Sequence, residues 1–353
     1  MAGDLILAID VGTTLCKATL FDQQGHALAG AQDEYGIIHP RPDWAEQSPE
    51  QWWQAACKTV GALPKRERVG AIAVTGQREG LVPIGAGGEP LSHCILWMDK
   101  RTHAQCAVIR ERMDEDELFA ITGLRLDPAF SLPKLLWIRQ HQPAVYRGAA
   151  MFLQATDYIN ARLTGEWTTE HSVASRTMLL DVRRRAWAAE VLQRFDLDVE
   201  ARLPRLLAPG SPIGPLSAAA ATALGLPRGA LVVAGGGDQQ CNAVGVGAVY
   251  PGSASVGLGT ASAPSVTLAE PVFDPQRRLP CCCAALPERW ELEPPIWTTG
   301  ALLRWFRDEL GSAEAAAARA RGVDPYEVLT DGAAAIPPGA EGLIALPYFM
   351  GAG

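Results

Sequence analysis

Apolar residues along the chain gather into short continuous runs, most of which stop at a glycine or a carboxylate, the pattern of buried strands. Leu5-Ile6-Leu7-Ala8-Ile9 stops at Asp10, residues 69–75 stop at Gly76, and Leu231-Val232-Val233-Ala234 stops at Gly235-Gly236-Gly237. A shorter run, Cys94-Ile95-Leu96, releases Trp97 and Asp99 into a loop. Residues 17–22 and 26–31 continue the first run as an antiparallel meander, with Gln23-Gln24-Gly25 as a turn. Helical periods fall over residues 50–63, behind Ser48 and Pro49, and over 133–142, where Leu135, Leu136 and Ile138 share an apolar face. Further helices are expected after Thr156, after Asp238 and over residues 301–310 and 313–321. Residues 281–285, 290–293 and 343–348 read as strands, and Arg183-Arg184-Arg185 as the solvated start of a helix.

Length and composition narrow the class. A chain of 353 residues, 48% hydrophobic and 20% charged, has room for two domains with sizeable cores. Its formal net charge of −8 argues against nucleic-acid binding and says nothing against a phosphorylated ligand. No apolar run approaches the roughly 20 residues of a membrane span, so no membrane partner is expected. The eight cysteines form no C-x-x-C pair, which argues against a metal cluster or a disulfide framework. A cytoplasmic enzyme is the expectation.

Two glycine turns carry the candidate chemistry. Asp238 follows Gly235-Gly236-Gly237 at the head of a helix, where an Asp is often no more than a cap. Asp10-Val11-Gly12-Thr13-Thr14, with Lys17 close by, forms a second acidic turn whose amides and hydroxyls suit phosphate oxygens. Gly257-Leu258-Gly259-Thr260 echoes that hairpin later in the chain. Gly76-Gln77-Arg78-Glu79-Gly80 leaves the end of a strand, where open α/β sheets place ligands. With Asp99 and Arg101 it offers donors and acceptors for a polyhydroxylated ligand, or else two salt-bridged loops. His171 reads as a hydrogen-bonded loop residue, since no His or Cys stands at ligand spacing from it.

The order of these motifs, together with Leu163-Thr164-Gly165-Glu166, resembles the FGGY carbohydrate kinases over essentially the whole chain. The resemblance implies an α/β protein of two actin-like, ribonuclease H-like domains around an interdomain cleft, here residues 1–247 and 248–353. It implies transfer of the γ-phosphoryl group of ATP, with Mg²⁺, to a sugar or polyol hydroxyl, and a homodimer is the expected assembly. Asp238 takes the role of general base and Asp10 that of the metal-side carboxylate. Gln77, Arg78, Glu79, Asp99 and Gln239 match substrate positions. Gly12, Thr13, Thr14 and Lys17, then Gly259, Thr260, Gly300 and Arg304, match positions at the nucleotide phosphates.

Some positions depart from the familiar subgroups. Ala129 stands where glycerol kinases carry a tyrosine, and Arg78-Glu79 where xylulokinases usually carry Met-His. Leu15 and Cys16 replace serines that often follow the first phosphate turn. Family members continue well past Gly353 into an adenine-binding motif, so the second domain is expected to be incomplete. The expected substrate is a pentulose, as in xylulokinases. A glycerol kinase-like activity, and a sugar-binding chain without catalysis, remain the alternatives.

Overall fold

Six strands form the principal sheet of the chain: β1 (Leu5–Val11), β2 (Leu15–Phe21), β3 (Ala27–Glu34), β4 (Val69–Gly76), β5 (Pro212–Pro215) and β6 (Leu231–Gly237). This computed structural model describes residues 3–259, 262–294 and 298–346. The strand order is β3-β2-β1-β4-β6-β5. β1, β4 and β6 run parallel at the centre, flanked by the antiparallel β2 and β3 on one side and β5 on the other. That is a ribonuclease H-like arrangement. Along the three central runs buried residues alternate with partly exposed ones, and Ile6 and Leu231 are 40% and 41% exposed although apolar.

Register sets the site. Asp10 lies opposite Thr75, and Thr75 opposite Gly236; one step on, Val11, Gly76 and Gly237 align. The β4–β6 ladder slips by one residue between Ala234 and Gly236, leaving Gly235 as the extra residue of a bulge. Only glycine fits there, because a Cβ would fall on the Val74 carbonyl.

Helices α1 (Pro49–Gly61), α2 (Ser131–His141), α3 (Ala155–Thr164) and α4 (Asp238–Gly245) support this edge. Ser48 is the extended residue before α1, and Pro49, which has no N–H to leave unpaired, occupies its first turn. Trp52 and Val60 of α1, with Tyr158, Ile159 and Leu163 of α3, belong to one core with Leu7, Ile9, Ile72 and Val232 of the sheet. Each large side chain so buried contributes about 1.5–3 kcal/mol. In a second core, Leu132, Leu135, Leu136 and Ile138 of α2 join Ile109, Leu118 and Phe195.

Both sheet and cores belong to a compact unit of residues 1–253 and 266–292. That unit also holds the paired strands Cys281–Cys283 and Trp290–Leu292. A second unit comprises residues 254–265 and 293–353, with the strand Ala254–Leu258 and helices α5 (Gly300–Glu309), α6 (Ser312–Arg321) and α7 (Pro325–Ala334). Leu303, Trp305 and Phe306 on α5 are 43%, 42% and 41% exposed. Among the described residues no helix is long and apolar enough to cross a membrane.

Two expectations differ from the structure. Arg183–Arg185 do not open a helix; they turn between the strands Leu180–Asp181 and Ala186–Trp187. The Asp181 carboxylate accepts the N–H groups of Arg183 and Arg184 at 3.0 Å, closing that turn. The next helix starts at Ala189. Residues 343–346 form no strand: Leu343 and Ile344 are exposed, and no strand among the described residues pairs with them. An apolar run becomes a strand only where a ladder partner takes up its backbone groups.

Candidate active site

The carboxyl ends of β1, β4 and β6 release Gly12, Gln77 and Asp238 side by side, because Val11, Gly76 and Gly237 share one register position. Adjacent strands stand about 4.8 Å apart, so carboxylates on β1 and just beyond β6 flank one edge only two strands wide. This is where open sheets bind ligands.

Asp238 is the first residue of α4, after an extended Gly237. Its Oδ1 accepts the Gln239 N–H at 2.7 Å and lies 3.3 Å from Nε of Arg78. The Arg78 side chain is buried, and its Nη1 donates to Oε1 of Gln240 at 2.9 Å. One guanidinium therefore holds two residues of the first turn of α4. Asp238 is more than a helix cap: it is a third exposed, ion-paired, and seated at the strand edge. Behind it, the Gly237 N–H donates to Oγ of Ser172 at 2.9 Å, and that hydroxyl donates to Oε2 of Glu170. Glu170 is buried, its Oε1 has no hydrogen-bond partner among the described residues, and burial pushes its carboxyl up to about 8.

Glu79 is held at every backbone group. Its N–H donates to Oε1 of Gln154 at 2.7 Å, and its carbonyl accepts Nζ of Lys134 at 2.8 Å and Oγ of Ser131 at 3.1 Å. Its φ of 64° is left-handed, a conformation that costs a non-glycine residue about 1–3 kcal/mol and persists only where the surroundings impose it. The carboxylate meets Nε of Arg176 at 2.5 Å, and that guanidinium also lies 5.3 Å from the Phe130 ring centroid.

Gln77 and Thr13 meet on the neighbouring turn. Gln77 Nε2 donates to Gln47 Oε1 at 2.9 Å, Gln47 Nε2 donates to the Thr13 carbonyl at 2.6 Å, and Trp97 Nε1 donates to Thr13 Oγ1 at 3.0 Å. The Gly12 carbonyl accepts the Tyr35 hydroxyl at 2.6 Å. Thr14 and Lys17 are exposed beside this turn. Asp99 is more deeply placed: it is fully buried, accepting the Ala45 N–H at 2.6 Å and Nη2 of Arg101 at 2.7 Å. Arg101 in turn lies 3.7 Å from the Trp44 ring centroid and 4.9 Å from that of Trp137. The free chain thus commits the Asp99 carboxylate to holding Arg101. Gln239, half-buried, follows Asp238 in the first turn of α4.

Asp10 pairs in register with Lys17 across β2. Its Oδ1 is buried with no hydrogen-bond partner among the described residues. Burial raises its pKa and Lys17 pulls it back. No cluster of three or more His, Cys, Asp or Glu side chains that could hold a metal occurs among the described residues. Mg²⁺ needs no such cage, since it keeps several waters and binds one or two carboxylates together with substrate phosphates. An orphaned carboxylate oxygen beside a glycine turn fits that mode.

In the second unit the Gly300 N–H, at the start of α5, donates to the Gly259 carbonyl at 2.9 Å, which brings those two expected phosphate positions together. Arg304 is exposed one turn along α5. Thr260 lies outside the described residues.

Lys134, Ser131, Gln154, Arg176, Ser172 and Glu170 also belong to this constellation, although none stands in a glycine turn. One signal was available for Lys134: a cation set among Leu132, Leu135, Leu136 and Ile138, in the apolar part of a helix whose other basic residues stand in its last turn.

A family model for the FGGY family of carbohydrate kinases, N-terminal domain, matches residues 5–245. The chain is 33% identical over 350 residues to a xylulose kinase of Escherichia coli, covering 98% of this chain and 69% of that protein. It is 29% identical to a gluconokinase of Bacillus subtilis, covering 98% and 68%. A crystal structure of xylulose kinase from Rhodospirillum rubrum superposes with a TM-score of 0.90 at 29% identity, covering 98% of this chain and 70% of that one. The chain thus spans about two thirds of the length of these relatives.

Proposed function

Because the chain belongs to the FGGY family of carbohydrate kinases, we propose that it serves the transfer of the γ-phosphoryl group of ATP to a sugar hydroxyl, with a pentulose such as D-xylulose as acceptor. One observation carries this reading: the register of β1, β4 and β6 brings Asp10 and Asp238 to the same carboxyl edge, on either side of Gln77 and Arg78. Phosphoryl transfer asks the protein for in-line positioning, charge neutralisation and a carboxylate to take the hydroxyl proton.

In this reading Asp238 accepts the proton of the attacking hydroxyl. Arg78, bound to both Asp238 and Gln240, fixes the carboxylate against the substrate. Gln77, Glu79 and Gln239 hold the remaining hydroxyls, and Asp99, whose carboxylate holds Arg101, is assigned to the same substrate. In the first unit the Gly12–Thr14 turn and Lys17 take nucleotide phosphates, and in the second unit Gly259, Thr260, Gly300 and Arg304 are assigned to nucleotide phosphates. Asp10 would hold Mg²⁺ together with those phosphates, and the bound ion supplies charge neutralisation at the transferring group.

The xylulose kinase relative supports a pentulose, while the gluconokinase relative makes a six-carbon sugar acid the reading to test against it. The experiment is a coupled ATP-turnover assay with D-xylulose, D-gluconate and glycerol, on the wild-type chain and on Asp238→Asn. The expected result is turnover with D-xylulose that falls by about 10²–10⁴-fold in D238N, the range for loss of a positioned general base. Full activity in D238N would overturn the base assignment, and preference for D-gluconate would overturn the pentulose.

A further inference from the structure

We propose that Lys134 is a positioning residue, which holds the peptide of Glu79 in its left-handed conformation and so aims the Glu79 carboxylate at the substrate. This rests on the assignment of Glu79 to the sugar side of the site. The ammonium is fully buried inside α2 and donates to two main-chain carbonyls, that of Glu79 at 2.8 Å and that of Ala129 at 2.5 Å. No ion pair neutralises it among the described residues, and burial lowers it to about 8. A buried cation so placed is unfavourable for stability, and a methionine of similar length would fill the same space without a charge. The amine is thus better accounted for by its contacts than by packing.

Those contacts converge on one strained residue. Glu79 has a φ of 64°, and its carbonyl takes both Lys134 Nζ and Ser131 Oγ, while Gln154 takes its N–H. Gln154 is itself anchored, its Nε2 donating to the Val173 carbonyl at 2.9 Å. With the peptide fixed on both sides, the side chain leaves towards Arg176, whose Nε lies 2.5 Å from Oε1. Released from Lys134, an L-residue at this position would relax out of the left-handed region and carry its carboxylate with it. Ala129 is tied to the same amine, so the loop before α2 and the loop after β4 share one fastening.

The test is a double-mutant cycle with Lys134→Met and Glu79→Ala on the full chain, reading D-xylulose affinity by ligand-observed NMR into the millimolar range. K134M is expected to weaken D-xylulose about tenfold in the wild-type background and less than twofold in the E79A background, as for directly coupled neighbours. An equal loss in both backgrounds would mean a general structural role and would overturn the proposal. Should K134M fail to fold, Ser131→Ala removes the other donor to the same carbonyl, and its smaller loss is expected to vanish in E79A; persistence there would overturn the proposal as well. A crystal structure of whichever variant folds gives a readout independent of any sugar. Glu79 leaving the left-handed region, with its Arg176 pair broken, supports the proposal, and Glu79 unmoved with the pair intact overturns it. If the wild-type chain binds neither D-xylulose, D-gluconate nor glycerol, the proposed function fails while this structural comparison still decides the role of Lys134.

Discussion

Arg78 reaches two residues of α4 through different nitrogens, Nε to Asp238 and Nη1 to Gln240, and this division of labour depends on the planar guanidinium. A lysine carries the charge but cannot span both partners. Arg78→Lys is therefore expected to lower kcat by about 10–100-fold with a smaller change in KM, because orientation of the base is lost while the charge survives; steady-state kinetics with D-xylulose measure the split. Glu170 gives a second residue-level prediction. Its carboxyl lies near 8 when folded, above its unfolded value, so the folded chain holds the extra proton between those limits. The stability it contributes is complete below about pH 4.5 and is lost as pH rises through about 8. The slope in that window reaches about 1.4 kcal/mol per pH unit for one proton. Glu170→Gln should flatten it, as denaturant titrations between pH 5 and 8 will show.

At the scale of elements, the bulge at Gly235 sets one unpaired residue into β6 against a regular β4. Gly235→Ala forces a Cβ onto the Val74 carbonyl and is expected to cost about 2–4 kcal/mol, measured as a lowered urea midpoint with an unchanged slope. Deleting Gly235 removes only the extra residue of the bulge and leaves Gly236 opposite Thr75, so Asp238 is expected to keep its place at the edge and its pair with Arg78.

The strands most legible in the sequence were those that sit centrally. Residues 5–9, 69–75 and 231–234 are apolar on both faces, although only alternate positions are fully buried, and the glycine turns after them announced the edge. The register was not legible, because the one-residue slip at Gly235 depends on the neighbouring strand. Arg183 and Arg184 are exposed, as a solvated run should be, but the turn that replaces the expected helix start is closed by the Asp181 carboxylate. In the fold, Arg183 lies 4.1 Å from the Phe273 ring centroid and Arg185 3.9 Å from that of Trp290. Lys134 was easy to misplace: a lysine in an apolar helix stretch is ordinarily placed at the surface, and here the carbonyls of Ala129 and of Glu79, 55 positions away, give it buried partners.

Across the whole molecule, the two units differ in how much apolar surface they leave to water. Leu303, Trp305, Phe306 and Leu310 are exposed on and just after α5, whereas the first unit keeps its large apolar side chains mostly inside. An exposed apolar stripe of this kind should bind an environment-sensitive dye such as ANS. The expectation is that Trp305→Ser combined with Phe306→Ser lowers dye fluorescence at least about twofold while the far-ultraviolet circular dichroism stays as in the parent; unchanged fluorescence would place the dye elsewhere.

The parallel order β1-β4-β6 also has a consequence for synthesis. As the chain emerges, β1 and β4 can pair early, but the other edge of β4 must wait for Leu231–Gly237, on the order of 150 residues later, or about 10 s at ordinary translation rates. Throughout that interval an apolar strand presents unpaired N–H and C=O groups, a template for any passing strand. The yield of native protein is therefore set less by the stability of the finished sheet than by what shields that edge of β4 while it waits, and a chaperone that holds nascent chains should raise it.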